Sequence, residues 1–131
     1  MYNNSPVHGF RSRSQPIIVK QSLRFDAASS ADLNATLGTA TLIDKWSFWT
    51  WLKLSNLGTL RHIFGADTAS TDIIAFNTSN QLIVNIAGTA RLISNPVFRD
   101  PTAWAHVLVV FDAGNATSAL RLRVYWNATE I

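Results

Sequence analysis

The chain has 131 residues, 47% of them hydrophobic and 15% charged, which is one domain's worth of sequence with enough apolar side chains to bury a core. No apolar run approaches the about 20 residues that a membrane-spanning helix needs, so no membrane span is expected, and the opening MYNNSPVHGFRSRSQPIIVK has no apolar h-region, so no secretory signal is expected. There is no cysteine, which excludes disulfides and thiolate metal sites; the net charge is +3.

That charge is unevenly placed. Residues 1–25 carry Arg11, Arg13, Lys20 and Arg24 and no acid, whereas the remaining seven basic and eight acidic residues sum to −1. Residues 1–15 are polar, include Pro6 and Gly9 and lack any period, and are read as an extended arm. Its cations, with Lys20, suit either a solvated tail or an anchor lying on a larger, acidic assembly. Four charges without interleaved aromatic residues make a poor phosphate track, so nucleic acid is not expected as a partner.

The folded body is expected over residues 16–131. In PIIVKQSLRFD, Leu23 and Phe25 alternate with Ser22 and Arg24, and the run 17–19 favours β structure. Residues 27–40 are small and polar, a loop or a very short strand. Residues 41–54 read as a strand that contains WSFWTWLKL, with three of the five tryptophans inside six residues. A strand puts Trp46, Phe48, Thr50, Leu52 and Leu54 on one face and Ser47, Trp49, Trp51 and Lys53 on the other. The first face is core. The second, mixed face needs a cover, a neighbouring subunit or a ligand, and Trp49, Trp51 and Lys53 are the candidate ligand or interface residues.

A turn at residues 56–58 leads into TLRHIFGA, TDIIAFNT, QLIVNIAG and ARLIS, with hairpin connections expected at 67–70, 79–80 and 88–89. Asn95-Pro96 and Asp100-Pro101 punctuate VFRDPTAW. WAHVLVVFD and ALRLRVYWN follow, joined by AGNATS. In the last strand Leu120, Leu122, Val124 and Trp126 share one face and Arg121, Arg123 and Tyr125 the other. Trp46, Trp104 and Trp126 are assigned to the core. No segment keeps a helical period, and short strands with turns every eight to twelve residues predict an all-β, antiparallel β-sandwich.

SLRFD (22–26), FWTWLKLSNLGT (48–59), AFNTSNQLIV (75–84), VFRDPTAWAHVLVVFD (97–112) and LRLRVYWNATEI (120–131), in this order, resemble the concanavalin A-like, laminin G-like jelly-roll domains of tailed-phage virion proteins. The resemblance covers residues 21–131 and leaves out the arm. It implies two stacked antiparallel sheets, and carbohydrate or receptor recognition as a frequent role. It also implies virion localisation, other virion proteins as partners, a homo-oligomer or larger assembly, and a place in a tail fibre, an appendage or a head decoration. Two departures stand out. The family's Asn-Gly turn is Asn127-Ala128 here, a poorer former of a I′ turn. The family's domain also continues for several strands past that turn. Either the fold is shortened here, or the sandwich is incomplete within residues 16–131 and its last strand is expected to be paired by later residues, by another chain or by the arm.

No enzyme is expected. Glycoside hydrolysis generally needs two carboxyls flanking the bond, and the only glutamate is Glu130, while the seven aspartates stand singly and mostly at turns. His8, His62 and His106 are too scattered for a metal motif. No cofactor is expected. Asp67 and Asp72, which bracket a polar loop, are the weak candidates for calcium, an ion that takes about six to eight oxygens. The Asn-x-Ser/Thr matches at Asn3, Asn34, Asn77, Asn115 and Asn127 are read as chance products of polar turns. Two functional readings remain: a virion structural protein anchored by its arm, and a free-standing carbohydrate-binding module that stacks sugars on Trp49 and Trp51.

Overall fold

The structure is a computed structural model that describes residues 22–29, 31–36, 38–39, 41–66 and 71–131. The chain divides into two compact units, Met1–Gly38 and Thr39–Ile131. Arg11, Arg13, Lys20 and the expected boundary between residues 15 and 16 lie outside the described residues, as does Asp67.

In the first unit the described backbone turns once, as a 3₁₀ helix over Ala27–Ser29. Asp26 organises it: Oδ1 accepts the Ala28 N–H at 3.0 Å, and its carbonyl accepts the N–H groups of Ser29 and Ala31, each at 3.2 Å. Residues 22–26 form no strand here despite their alternation, and Leu23 and Phe25 are exposed.

The second unit is an antiparallel β-sandwich. Its strands are β1 (Lys45–Lys53), β2 (Arg61–Gly65), β3 (Ile73–Phe76), β4 (Gln81–Ile86), β5 (Thr89–Val97), β6 (Trp104–Asp112), β7 (Leu122–Trp126) and β8 (Thr129–Glu130). They form two four-stranded sheets, ordered β1-β6-β7-β8 and β2-β3-β4-β5. The second sheet is a simple meander. The chain leaves the first sheet after β1, builds that meander, and returns to lay β6 along the full length of β1, from Lys45 opposite Asp112 to Lys53 opposite Trp104.

Period-two patterning fills the space between the sheets. Phe76, Leu82, Val84, Val107, Val109 and Val124 are buried, with Trp46, Phe48, Leu52, Leu122, Trp126 and Ile131 packed around them. β-branched residues dominate because they pack on a pleated surface without losing further rotamers. Trp126 stacks on Phe98, with ring centroids 4.1 Å apart, and meets Phe76 edge-on at 6.0 Å. The core assignments of Trp46 and Trp126 thus hold. Leu120 departs from its expected face: it ends a single-turn 3₁₀ helix, Ser118–Leu120, and is exposed.

Side chains take over where the ladders break. The β4–β5 register shifts between Gln81 and Ile83, so that β5 runs on through Asn95-Pro96, which had been expected to end it. Proline is tolerated because β5 lies at the edge of its sheet among the described residues and bulges there. Ser94 Oγ accepts the Leu82 N–H at 3.0 Å and donates to the Pro96 carbonyl at 2.7 Å, replacing ladder bonds inside the bulge.

The last hairpin pairs the end of β7. Trp126 pairs with Thr129, leaving Asn127 and Ala128 as a two-residue loop with φ of 49° and 67°. Positive φ at both positions is the I′ pattern that suits strand twist. Alanine tolerates it poorly, but Asn127 ties the turn to β6: Oδ1 accepts the His106 N–H at 2.8 Å, and the Asn127 N–H donates to the His106 carbonyl at 2.9 Å. Thr129 and Glu130 pair with Trp126 and Tyr125, the last two residues of β7, and the Ile131 N–H donates to the Val124 carbonyl at 3.0 Å.

Candidate functional site

In an antiparallel ladder, directly paired residues share a face. The outer face of the first sheet therefore reads off the register in rows. Ser47, Val110 and Arg123 form one; Trp49, Leu108, Tyr125 and Glu130 the next; then Trp51 with His106; then Lys53 with Trp104. Trp49 is 64% exposed, and Trp51 and Trp104 are each 49% exposed. The His106 ring lies between the first two indoles, its centroid 6.1 Å from Trp49 and 5.2 Å from Trp51.

The two-sided reading of β1 thus holds strictly, with Trp46, Phe48, Thr50 and Leu52 half-buried and Ser47, Trp49, Trp51 and Lys53 exposed. Trp104 overturns its core assignment. Ala105, Val107 and Val109 point inward and are buried, so the even-numbered residues of β6 face out. Trp104, His106 and Tyr125 join Trp49, Trp51 and Lys53 on one surface, an association the sequence reading missed. His106 carried the signal: a polar residue two positions after Trp104 marks that parity as the solvent face.

The platform is bounded by polar groups. At one end Lys45 Nζ pairs with Asp112 Oδ1 at 3.3 Å, and the intervening Arg123 has a buried Nε without a hydrogen-bond partner. At the other end stands Lys53. Asp100 lies beyond it, its Oδ1 accepting from Thr102 Oγ1 at 2.6 Å and from the Thr102 N–H at 2.8 Å. These bonds from Thr102 hold the Asp100 carboxyl below the usual range, with a smaller contribution from the Lys53 charge.

Elsewhere the aspartates do turn work. Asp72 Oδ1 accepts the Ala87 N–H at 2.8 Å, and Asp112 Oδ1 accepts the Gly114 N–H at 3.1 Å. Asp72 spends that oxygen on a turn, and among the described residues no three histidine or acidic side chains come together as a metal-binding group. His62 pairs with Ala75 in the second sheet, whereas His106 belongs to the first. Among the described residues no helix is long and apolar enough to cross a membrane.

Comparison with known protein families, with curated proteins and with solved structures finds no match. The resemblance to laminin G-like virion domains therefore rests on the segments that carry it.

Proposed function

We propose that this chain is a non-enzymatic structural protein of a tailed-phage particle, in a tail fibre, an appendage or a head decoration. Its N-terminal segment anchors it, with Arg11, Arg13 and Lys20 meeting acidic neighbours, and its sandwich presents the outer face of the first sheet to a host-surface glycan or receptor. The observation that carries the recognition part is the outward placement of Trp49, Trp51 and Trp104 together. Large rings left in water on one face cost hydration free energy that a binding surface puts to use. The particle part rests on the sequence resemblance and on the charge asymmetry of residues 1–25.

A second reading, a free-standing carbohydrate-binding module, draws on the same exposed indoles. Cosedimentation with purified particles separates the two. The structural reading expects the chain to be retained on particles, and the full-length variant Arg11→Glu/Arg13→Glu/Lys20→Glu to be lost from them while its body melts at an unchanged temperature. A chain absent from particles that binds glycan in solution establishes the module. Full retention of the charge-reversed variant contradicts anchoring by the arm.

A further inference from the structure

The three exposed indoles stand in successive rows of one sheet face: Trp49, then Trp51, then Trp104 opposite Lys53 on the adjacent strand. Successive rows are about 6.6 Å apart, so the three indoles span about 13 Å along the direction of β1, with Trp104 offset by one strand spacing of about 4.8 Å onto β6. We propose that this array is the binding track for a linear oligosaccharide of two to three pyranose units, its axis parallel to β1. It rests on the reading of this face as a recognition surface and adds to it the ligand class and the direction of binding.

Size argues for a small ligand over a second copy of the chain. Taking an indole near the upper end of the aromatic range, the three rings expose roughly 400 Å². A stable protein interface needs about 800 Å² on each partner, with an apolar centre. Charged groups flank the patch: the Lys45–Asp112 pair and Arg123 at one end, Glu130 to the side, and Lys53 with Asp100 at the other. The contiguous indole surface by itself is thus about half of what one side of a stable protein interface buries.

The chemistry suits a sugar. A pyranose whose hydroxyls are mostly equatorial presents a face of axial C–H bonds, which lies on an indole, and a rim of hydroxyls, which needs donors and acceptors beside the ring. The platform provides that rim in the half-buried imidazole of His106 close to both Trp49 and Trp51, in Tyr125, which ends the Trp49 row across Leu108, and in Lys53 opposite Trp104. Apolar faces with a few placed polar groups are how small-molecule sites combine affinity with orientation. An extended arrangement of indoles suits an unbranched chain, because each ring that meets an indole must bring a C–H face to it.

The test is calorimetric titration of the full chain with cellohexaose, maltohexaose, chitohexaose and a linear β-galactan oligosaccharide, with tryptophan emission recorded in parallel. At least one ligand is expected to bind with a blue shift, and the hexamer to bind more tightly than its disaccharide. Trp49→Ala, Trp51→Ala and Trp104→Ala should each weaken it at least about tenfold. Trp51→Phe should retain most of the affinity, and Ile93→Ala, exposed on the other sheet, should change nothing. Absence of binding to every one of these at millimolar concentration overturns the track. So does a chain that sediments as a dimer and becomes monomeric in Trp49→Ala, which makes the face a contact between copies. Retention of the tryptophan variants on particles, measured alongside, tells failure of the track from failure of the particle assignment.

Discussion

Asn80 is held at φ 62°, almost fully buried, where its side chain ties the β3–β4 turn to the segment before β2. Oδ1 accepts the Gly58 N–H at 2.8 Å and Arg61 Nη2 at 2.9 Å, and the Asn80 carbonyl accepts the Phe98 N–H at 2.8 Å. Asparagine is among the few non-glycine residues that tolerate this conformation. Asn80→Gly keeps the backbone and loses the side-chain bonds, so it should cost about 1–2 kcal/mol; Asn80→Ala adds the strain and should cost about 2–4 kcal/mol. Urea denaturation of the two variants checks the order, and equal losses would show that the backbone conformation contributes nothing. Ala87 and Ala128 present the opposite case, with φ of 51° and 67° and no side chain to offset the strain. Ala87→Gly and Ala128→Gly should each stabilise by about 0.5–1 kcal/mol, the left-handed penalty less the backbone entropy of glycine. A lower melting temperature in both would contradict the turn assignment. The depressed Asp100 carboxyl gives a pH signature of the opposite sign to a raised group. The order it lends to the loop is present above its unfolded pKa and lost as pH falls through its lower folded value. Exchange of the Thr102 amide should accordingly speed up at the acidic end of that window, and a rate profile matching an unstructured peptide would remove the bond.

At the scale of the strand, the β5 bulge depends on Ser94. Ser94→Ala leaves the Leu82 N–H buried without an acceptor and should cost about 1–3 kcal/mol, whereas Ser94→Thr keeps the hydroxyl and should recover part of it. Thermal melts of the pair check this, and identical losses would point to packing instead. The strands themselves were legible, because most alternate or carry β-branched runs between turn residues. So was the division of β1, since WSFWTWLK alternates without interruption. The orientation of β6 was harder to read. In WAHVLVVFD both parities are rich in apolar residues, so the polar His106 is the one mark of the outer set inside the strand, and pairing with β1 fixes it. The two residues of β8 were invisible for another reason. Thr129-Glu130 has no pattern of its own, and it becomes a strand because Asn127 bonds to His106, twenty-one residues earlier. Residues 22–26 show the converse: alternation is present, but no strand forms there among the described residues.

The whole second unit is closed by β6, which is paired on both sides and carries Val107 and Val109 into the core. Its amides should exchange most slowly, those of β1, β2, β5 and β8 faster, since these lie at the sheet borders among the described residues. Uniform exchange across all eight strands would contradict a core centred on β6. The same strand joins the two sides of the account, because its odd residues build the interior and its even residues build the platform with Trp49 and Trp51. On the proposed function, the aromatic residues of β1 and β6 divide between stability on the inner face and recognition on the outer. Comparison of the thermal unfolding of Trp49→Ala/Trp51→Ala/Trp104→Ala with that of Trp46→Ala tests it most directly. The triple variant removes three outer rings and should melt within about 4 °C of the parent chain. The single inner variant should lose about 2–4 kcal/mol, somewhat below the value for a fully buried ring, and melt at least about 8 °C lower. A triple variant that melts as low as Trp46→Ala, or that fails to unfold cooperatively, would show that the outer rings hold the fold together and that the face is not free for a ligand.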